Sequence, residues 1–194
     1  MIRTGDTIEN PVTGERITFL STSADTDGAA VVIETAVKPD GFVASAHVHP
    51  FQSERFVVSA GTLGLKIRRE WLTLEPGDVA TVEAGTAHRF WNAGETPMRF
   101  VCEIRPALQF ESLLETMFAL AADGKTGRKG MPSPFRLAVI AKAHFDTVQL
   151  PFPPAWAQRA ALALGAPIGR LAGYEPFYPA GPIAPASLPL LSSE

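Results

Sequence analysis

Between residues 16 and 105 the chain is interrupted by turn signals about every eight to twelve residues, and that rhythm constrains the fold more than any other feature. Runs rich in β-branched and aromatic residues occupy 16–21, 30–37, 56–59, 63–68, 79–82, 88–92 and 98–105. Between them lie Asp27 and Gly28, Pro39 to Gly41, Gly61, Pro76 to Asp78, Gly85, and Ala93 to Glu95. Short runs at even spacing, with no helical pattern among them, predict a mainly β fold closed as a sandwich or barrel.

The pattern changes after Pro106. Phe110, Leu113, Leu114, Met117, Phe118 and Ala121 recur at helical spacing, and Gly124 is placed to stop the helix. Two further helices are predicted over 135–148 and 154–172, the second entered through a proline pair that suits a first helical turn. The expected organisation is a β-barrel domain over 1–106, a helical extension over 107–178, and a Pro/Ala/Ser-rich tail over 179–194 without periodicity. The helices are expected to cap the barrel or form a dimer surface, since that asks only for apolar burial; a lid over the barrel mouth is the alternative.

Charge and apolar patterning exclude several function classes. A net charge of -3 provides no concentrated basic face for phosphate, so no nucleic-acid partner is expected. Lys125, Arg128 and Lys129 cluster, but among glycines, as a solvated loop does. The start of the chain is polar without an apolar leader, and the longest apolar run, 160–168, is broken by Gly165 and Pro167. A cytoplasmic protein with no membrane partner is therefore expected. The single Cys102 lies in an apolar run and reads as a small buried hydrophobe. A positive mean hydropathy and the Leu, Phe and Ala of the helices suggest apolar surface covered by a second copy, a homodimer.

Three of the four histidines fall in two short windows. His47 and His49 stand two apart in a run that reads as a strand, which sends both imidazoles to one face. Glu54 follows a short turn and shares a face with Phe56 and Val58; His88 shares one with Phe90 and Asn92. If those strands are neighbours in a closed barrel, three imidazoles and a carboxylate converge, a set that suits a first-row divalent ion with positions left open.

The spacing around these residues carries a resemblance. Gly41, His47, His49, Glu54 and Gly61 satisfy the pattern G-x5-HxH-x4-E-x6-G at every defined position. Gly77, Gly85, His88 and Asn92 satisfy G-x5-PxG-x2-H-x3-N, with Glu83 standing where that pattern has proline. The two motifs are separated by 62–76. Together they resemble the cupin superfamily over residues 30 to 105, as a small single-domain cupin with a helical C-terminal extension. The resemblance implies a double-stranded β-helix (jelly-roll) barrel, commonly dimeric, and a metal-ligand role for His47, His49, Glu54 and His88. It does not extend to the helices.

A site of this kind holds one divalent transition metal: Fe, Mn, Ni, Co, Cu or Zn. Cupins with this ligand type include both redox and non-redox enzymes, and Glu54 is the candidate proton acceptor in either. The wall expected from strand alternation is apolar: Phe56, Val58, Phe90, Phe100 and Ile33, with few charged groups inward. That favours a small apolar or aromatic substrate offering one or two oxygen donors, and a metal-dependent dioxygenase. A non-redox isomerase, cyclase or lyase is the alternative enzyme, and a non-catalytic small-molecule binder the alternative outside catalysis. Phe56, Phe90 and Phe100 also serve core packing. Arg55, Arg89, Arg99 and Arg105 fall on outward faces, Asn92 is expected to satisfy backbone groups at a turn, and His144, in a helical stretch, is only a remote candidate for a fifth ligand.

Overall fold

A computed structural model describes residues 2–43 and 45–179; the segment 180–194, most of the expected tail, lies outside the described residues. Nine strands come first: β1 (Thr7–Asn10), β2 (Glu15–Ser21), β3 (Val31–Val37), β4 (Ser53–Ala60), β5 (Leu63–Ile67), β6 (Glu70–Leu74), β7 (Val79–Val82), β8 (His88–Asn92) and β9 (Met98–Arg105). Three α-helices follow: α1 (Phe110–Ala122), α2 (Pro134–Ala143) and α3 (Ala155–Leu171). The fold is mainly β, a double-stranded β-helix followed by helices.

One sheet runs β1-β2-β3-β9-β4-β7 and the other β6-β5-β8, with antiparallel pairing throughout. Alternation fixes which side chains enter the barrel. On β4, Glu54, Phe56 and Val58 are buried, opposite Ile104, Cys102 and Phe100 of β9. Cys102 is buried as expected, and burial pushes its thiol well up, away from the thiolate form. Arg55, Arg89, Arg99 and Arg105 all face outward.

Two strands were not among the predicted runs. β1 has only four residues, and in β6, an edge strand, the exposed Trp71 interrupts the contrast between the inward Leu72 and Leu74 and their outward neighbours. The first motif's Gly61 takes φ 69°, and a Cβ there would stand 2.7 Å from the Cα of Met98. At the second motif the turn closes without proline: Thr86 N–H donates to the Glu83 carbonyl at 3.1 Å. Asn92 does its turn work through Nδ2, which donates to the carbonyls of Val37 and Thr96.

Helix α1 packs against β1 and buries Phe110 and Phe118, and Gly124 leaves it at φ 67°. Helix α2 ends at Ala143, short of the expected 148, because His144 leaves helical geometry and 144–147 coil into a turn. Helices α2 and α3 lie against each other, with Gly169 set against the Phe135 carbonyl. Among the described residues no helix is long and apolar enough to cross a membrane.

Candidate metal centre

Strand geometry delivers two of the four candidate ligands directly. Glu54 enters from β4 and His88 from the first position of β8, both buried. His47 and His49 arrive differently from expectation: their segment is no regular strand, but makes isolated bridges at His47 with His88 and at Val48 with Gln149. The segment crosses between the barrel and the turn after α2, so its hydrogen bonds go to both. His47 and His88 exchange backbone bonds at 3.0 Å, and Val48 and Gln149 do so at 2.9 Å.

The four side chains nevertheless converge, with one donor atom from each within 4.8 Å of the others. Each imidazole is oriented by a backbone carbonyl. Nδ1 of His47 lies 2.9 Å from the Ser45 oxygen, that of His49 2.6 Å from Thr147, and that of His88 3.0 Å from Thr86. A carbonyl only accepts, so each Nδ1 carries a proton, which leaves Nε2 as the ring nitrogen available to a metal. This is the outer-shell arrangement that fixes the tautomer of metal-binding histidines.

The donor atoms at the centre are left without hydrogen bonds. His49 Nε2, His88 Nε2 and Glu54 Oε2 are buried, and the one close contact among them is the 2.6 Å ion pair of His88 Nε2 with Glu54 Oε2. Leaving such groups unmet costs about 1–3 kcal/mol each, more for a charged one. A divalent cation satisfies all of them at once, and N₃O donors suit a first-row ion. The residues fit the metal.

The electrostatics agree with that fit. Burial, reinforced by the neighbouring His49 and His88, pushes His47 down to about 3 and keeps it neutral. Burial alone would raise the Glu54 carboxyl, but His49, His88 and His47 outweigh it and hold it at about 2, ionised. Burial likewise opposes charge on His88, yet the Glu54 carboxylate overcomes it and raises the pKa. His144 takes no part: its Nδ1 donates to the Ile140 carbonyl at 2.9 Å and its Nε2 faces Ser112 Oγ at 3.1 Å.

Residues 33–103 match the family model for a cupin domain (Cupin_2). The matched stretch of the barrel is a cupin domain. Among solved structures, this chain is similar to a conserved protein with a double-stranded β-helix domain from Klebsiella pneumoniae subsp. pneumoniae. That pair is 21% identical, with 56% of this chain and 84% of the other covered and a TM-score of 0.42. It is also similar to a predicted oxalate decarboxylase from Thermotoga maritima (19% identical, 55% and 98% covered, TM-score 0.48). A third is a cupin-superfamily sugar phosphate isomerase from Silicibacter pomeroyi (24%, 50% and 62%, TM-score 0.44). No curated protein matches the chain.

A cavity of about 530 Å³ opens from the cluster, lined there by His47, His49 and Glu54. Phe56, Phe90, Phe100 and Ile33 line it from the barrel, and the three rings pack on one another with centroids 5.3–6.2 Å apart. Val58, expected on this wall, is buried in the core beside its cross-strand partner Phe100 and does not line the cavity. The helices supply much of the rest: Leu114 and Met117 of α1, Ile140 of α2, and Leu162 of α3. They therefore form a wall of the space above the cluster.

Three contributors were missed in the sequence. Thr147 supplies the carbonyl that orients His49, and nothing in the sequence links two residues 98 apart. Asn10 and Glu15 line the cavity too, Glu15 although few charged groups were expected inward. Glu15 had a signal: it falls in phase with Ile17 and Phe19, the buried residues of β2.

Proposed function

We propose that this cupin is a metal-dependent oxygenase acting on a small apolar or aromatic molecule that bears oxygen donors. The observation that supports it is the set of orphaned donor atoms at one end of an otherwise apolar cavity. His47, His49, Glu54 and His88 would hold one divalent metal, with Fe(II) the form suited to oxygenase work. Such an ion supplies a Lewis acid with open positions and, as iron, redox chemistry with dioxygen. The chain's own residues do the remainder. The carbonyls of Ser45, Thr147 and Thr86 hold the three rings in register. The phenylalanine trio and the helical wall orient an apolar substrate and exclude bulk water. Glu54, which lines the cavity, would be the group to accept a proton from a substrate oxygen.

Anaerobic loading with Fe(II) followed by nitric oxide tests the reading. A paramagnetic iron–nitrosyl signal is expected from iron with open positions. Iron retained without that signal would overturn the oxygenase, and retention of zinc alone from cells would favour non-redox Lewis-acid chemistry instead.

The proposal extends to a homodimer. Trp156, Leu164, Ile168 and Leu171 lie on α3 at intervals of three, four and eight residues and are all exposed, an apolar face that a second copy would cover.

A further inference from the structure

The cavity has a second polar end. Glu15 and Asn10 are cross-strand partners on β2 and β1, only 7% and 4% exposed, and both line the cavity. Asn10 Oδ1 accepts the backbone N–H groups of Val12 and Thr13 at 3.0 and 3.2 Å, which fixes the orientation of its amide. Its Nδ2 has no hydrogen-bond partner among the described residues. Glu15 Oε2 accepts the Thr13 hydroxyl at 2.6 Å, and Glu15 Oε1 has no such partner. A donor and an acceptor, both inside a mostly apolar space, are thus left side by side. Native interiors rarely leave such groups unmet unless water or a ligand meets them.

Register places this pair far from the metal centre. Glu15 pairs with Val37, whose carbonyl accepts from Asn92 at one end of β8, and His88 begins that strand. Four residues of strand separate those ends, about 13 Å at roughly 3.3 Å per residue. Between them stand the rings of Phe56, Phe90 and Phe100.

We infer that Glu15 and Asn10 form a specificity subsite for a hydroxyl group on the end of the substrate remote from the metal. A hydroxyl donates to Glu15 Oε1 and accepts from Asn10 Nδ2, which uses both free valences with one group. The ligand class is then an elongated aromatic molecule with an oxygen donor for the metal at one end and an alcohol or phenol at the other. This rests on the metal reading for one end only. Burial pushes the Glu15 carboxyl up to about 7 against the Thr13 hydrogen bond, consistent with a site that prefers a neutral hydrogen-bonding partner to an anion.

Two probe pairs test it by calorimetry. On zinc-loaded protein, 4-hydroxycinnamate is compared with cinnamate; on metal-free protein, 4-propylphenol is compared with propylbenzene. In each pair the hydroxylated member is expected to bind at least about tenfold more tightly, because a buried polar pair is left unmet by its analogue. Glu15→Leu should erase that preference in both pairs, and Glu15→Gln should keep part of it. Equal affinities in the unaltered protein, a preference that survives Glu15→Leu, or binding of neither member of the metal-free pair overturns the subsite. Loss of the zinc-dependent pair alone, with the phenol preference kept, counts against the metal reading and not against the subsite.

Discussion

The strands and helix α3 handle large apolar side chains in opposite ways. Phe19, Leu63, Leu65, Met98, Phe100 and Ile104 are withdrawn from solvent, each packed between the two sheets. On α3, by contrast, Trp156 and Leu164 are each 75% exposed and Leu171 91%, while the residues it buries are the small Ala166 and Gly169. The barrel core takes in Phe110 and Phe118 of α1 but no residue of α2 or α3. The helices are not a second core; they lend one face to the cavity and leave another outward. The metal centre lies where the two regions meet, because His49 is held by a carbonyl from the helical region and His47 by the loop before it.

The sharpest way to break that comparison is at the centre itself. His88→Ala removes a ligand from the barrel side. Loss of an outer-shell partner alone typically costs about 10–100-fold in metal affinity, so loss of the ligand should exceed that. Elemental analysis after dialysis should find the variant metal-free beside a loaded parent. Full metal content in the variant would mean that the four side chains do not act as one set.

The next effect belongs to the barrel. Phe19 is fully buried and lines no part of the cavity, so Phe19→Ala removes packing without touching the site. A cost of about 3–5 kcal/mol is expected in denaturant unfolding. A cost below about 1 kcal/mol would show that packing between the sheets is not what holds the barrel.

What was legible in the sequence divides along the same line. Turn punctuation and alternation located the long strands, since a half-buried strand writes its faces with period two. The ligands were found through spacing even though the segment carrying His47 and His49 is not a regular strand; the carbonyl anchors, and not a pleat, aim those rings. Glu15 was missed because the run was taken to begin at Arg16; begun one residue earlier, it shows a carboxylate in phase with Ile17 and Phe19. Long-range contacts such as Thr147 to His49 leave no local pattern, and neither does the use of α1, α2 and α3 as a cavity wall.

Glu15 also provides a pH test that separates the regions. Its carboxyl titrates near 4.5 when unfolded and near 7 when folded, so between those values the folded state keeps a proton that the unfolded state has lost. Its share of stability is whole below about pH 4.5 and is lost as pH rises through about 7, a fall of about 3 kcal/mol. His144, under the helices, runs the other way: burial lowers its pKa, so its share is lost as pH falls below 6.5. Glu15→Gln should flatten the first slope in a stability–pH profile and leave the second. A profile unchanged by that substitution would place the carboxyl in water and not in the barrel.

The smallest effect on folding is expected at the outward face of α3, where the effect on assembly should be clear. Leu164 is mostly in solvent within one chain, so Leu164→Ser should change unfolding of a monomer by no more than about 0.5 kcal/mol. In a homodimer the same side chain sits against its copy, because a two-fold interface presents one patch twice. Light scattering should then give the unaltered protein twice the chain's 20.8 kDa and shift the variant towards the single-chain mass. A parent at 20.8 kDa would instead leave the stripe of Trp156, Leu164, Ile168 and Leu171 facing water, a larger apolar exposure than monomers usually tolerate. A dimer unaffected by Leu164→Ser would move the interface off α3, and the helices would then be explained by the cavity wall alone.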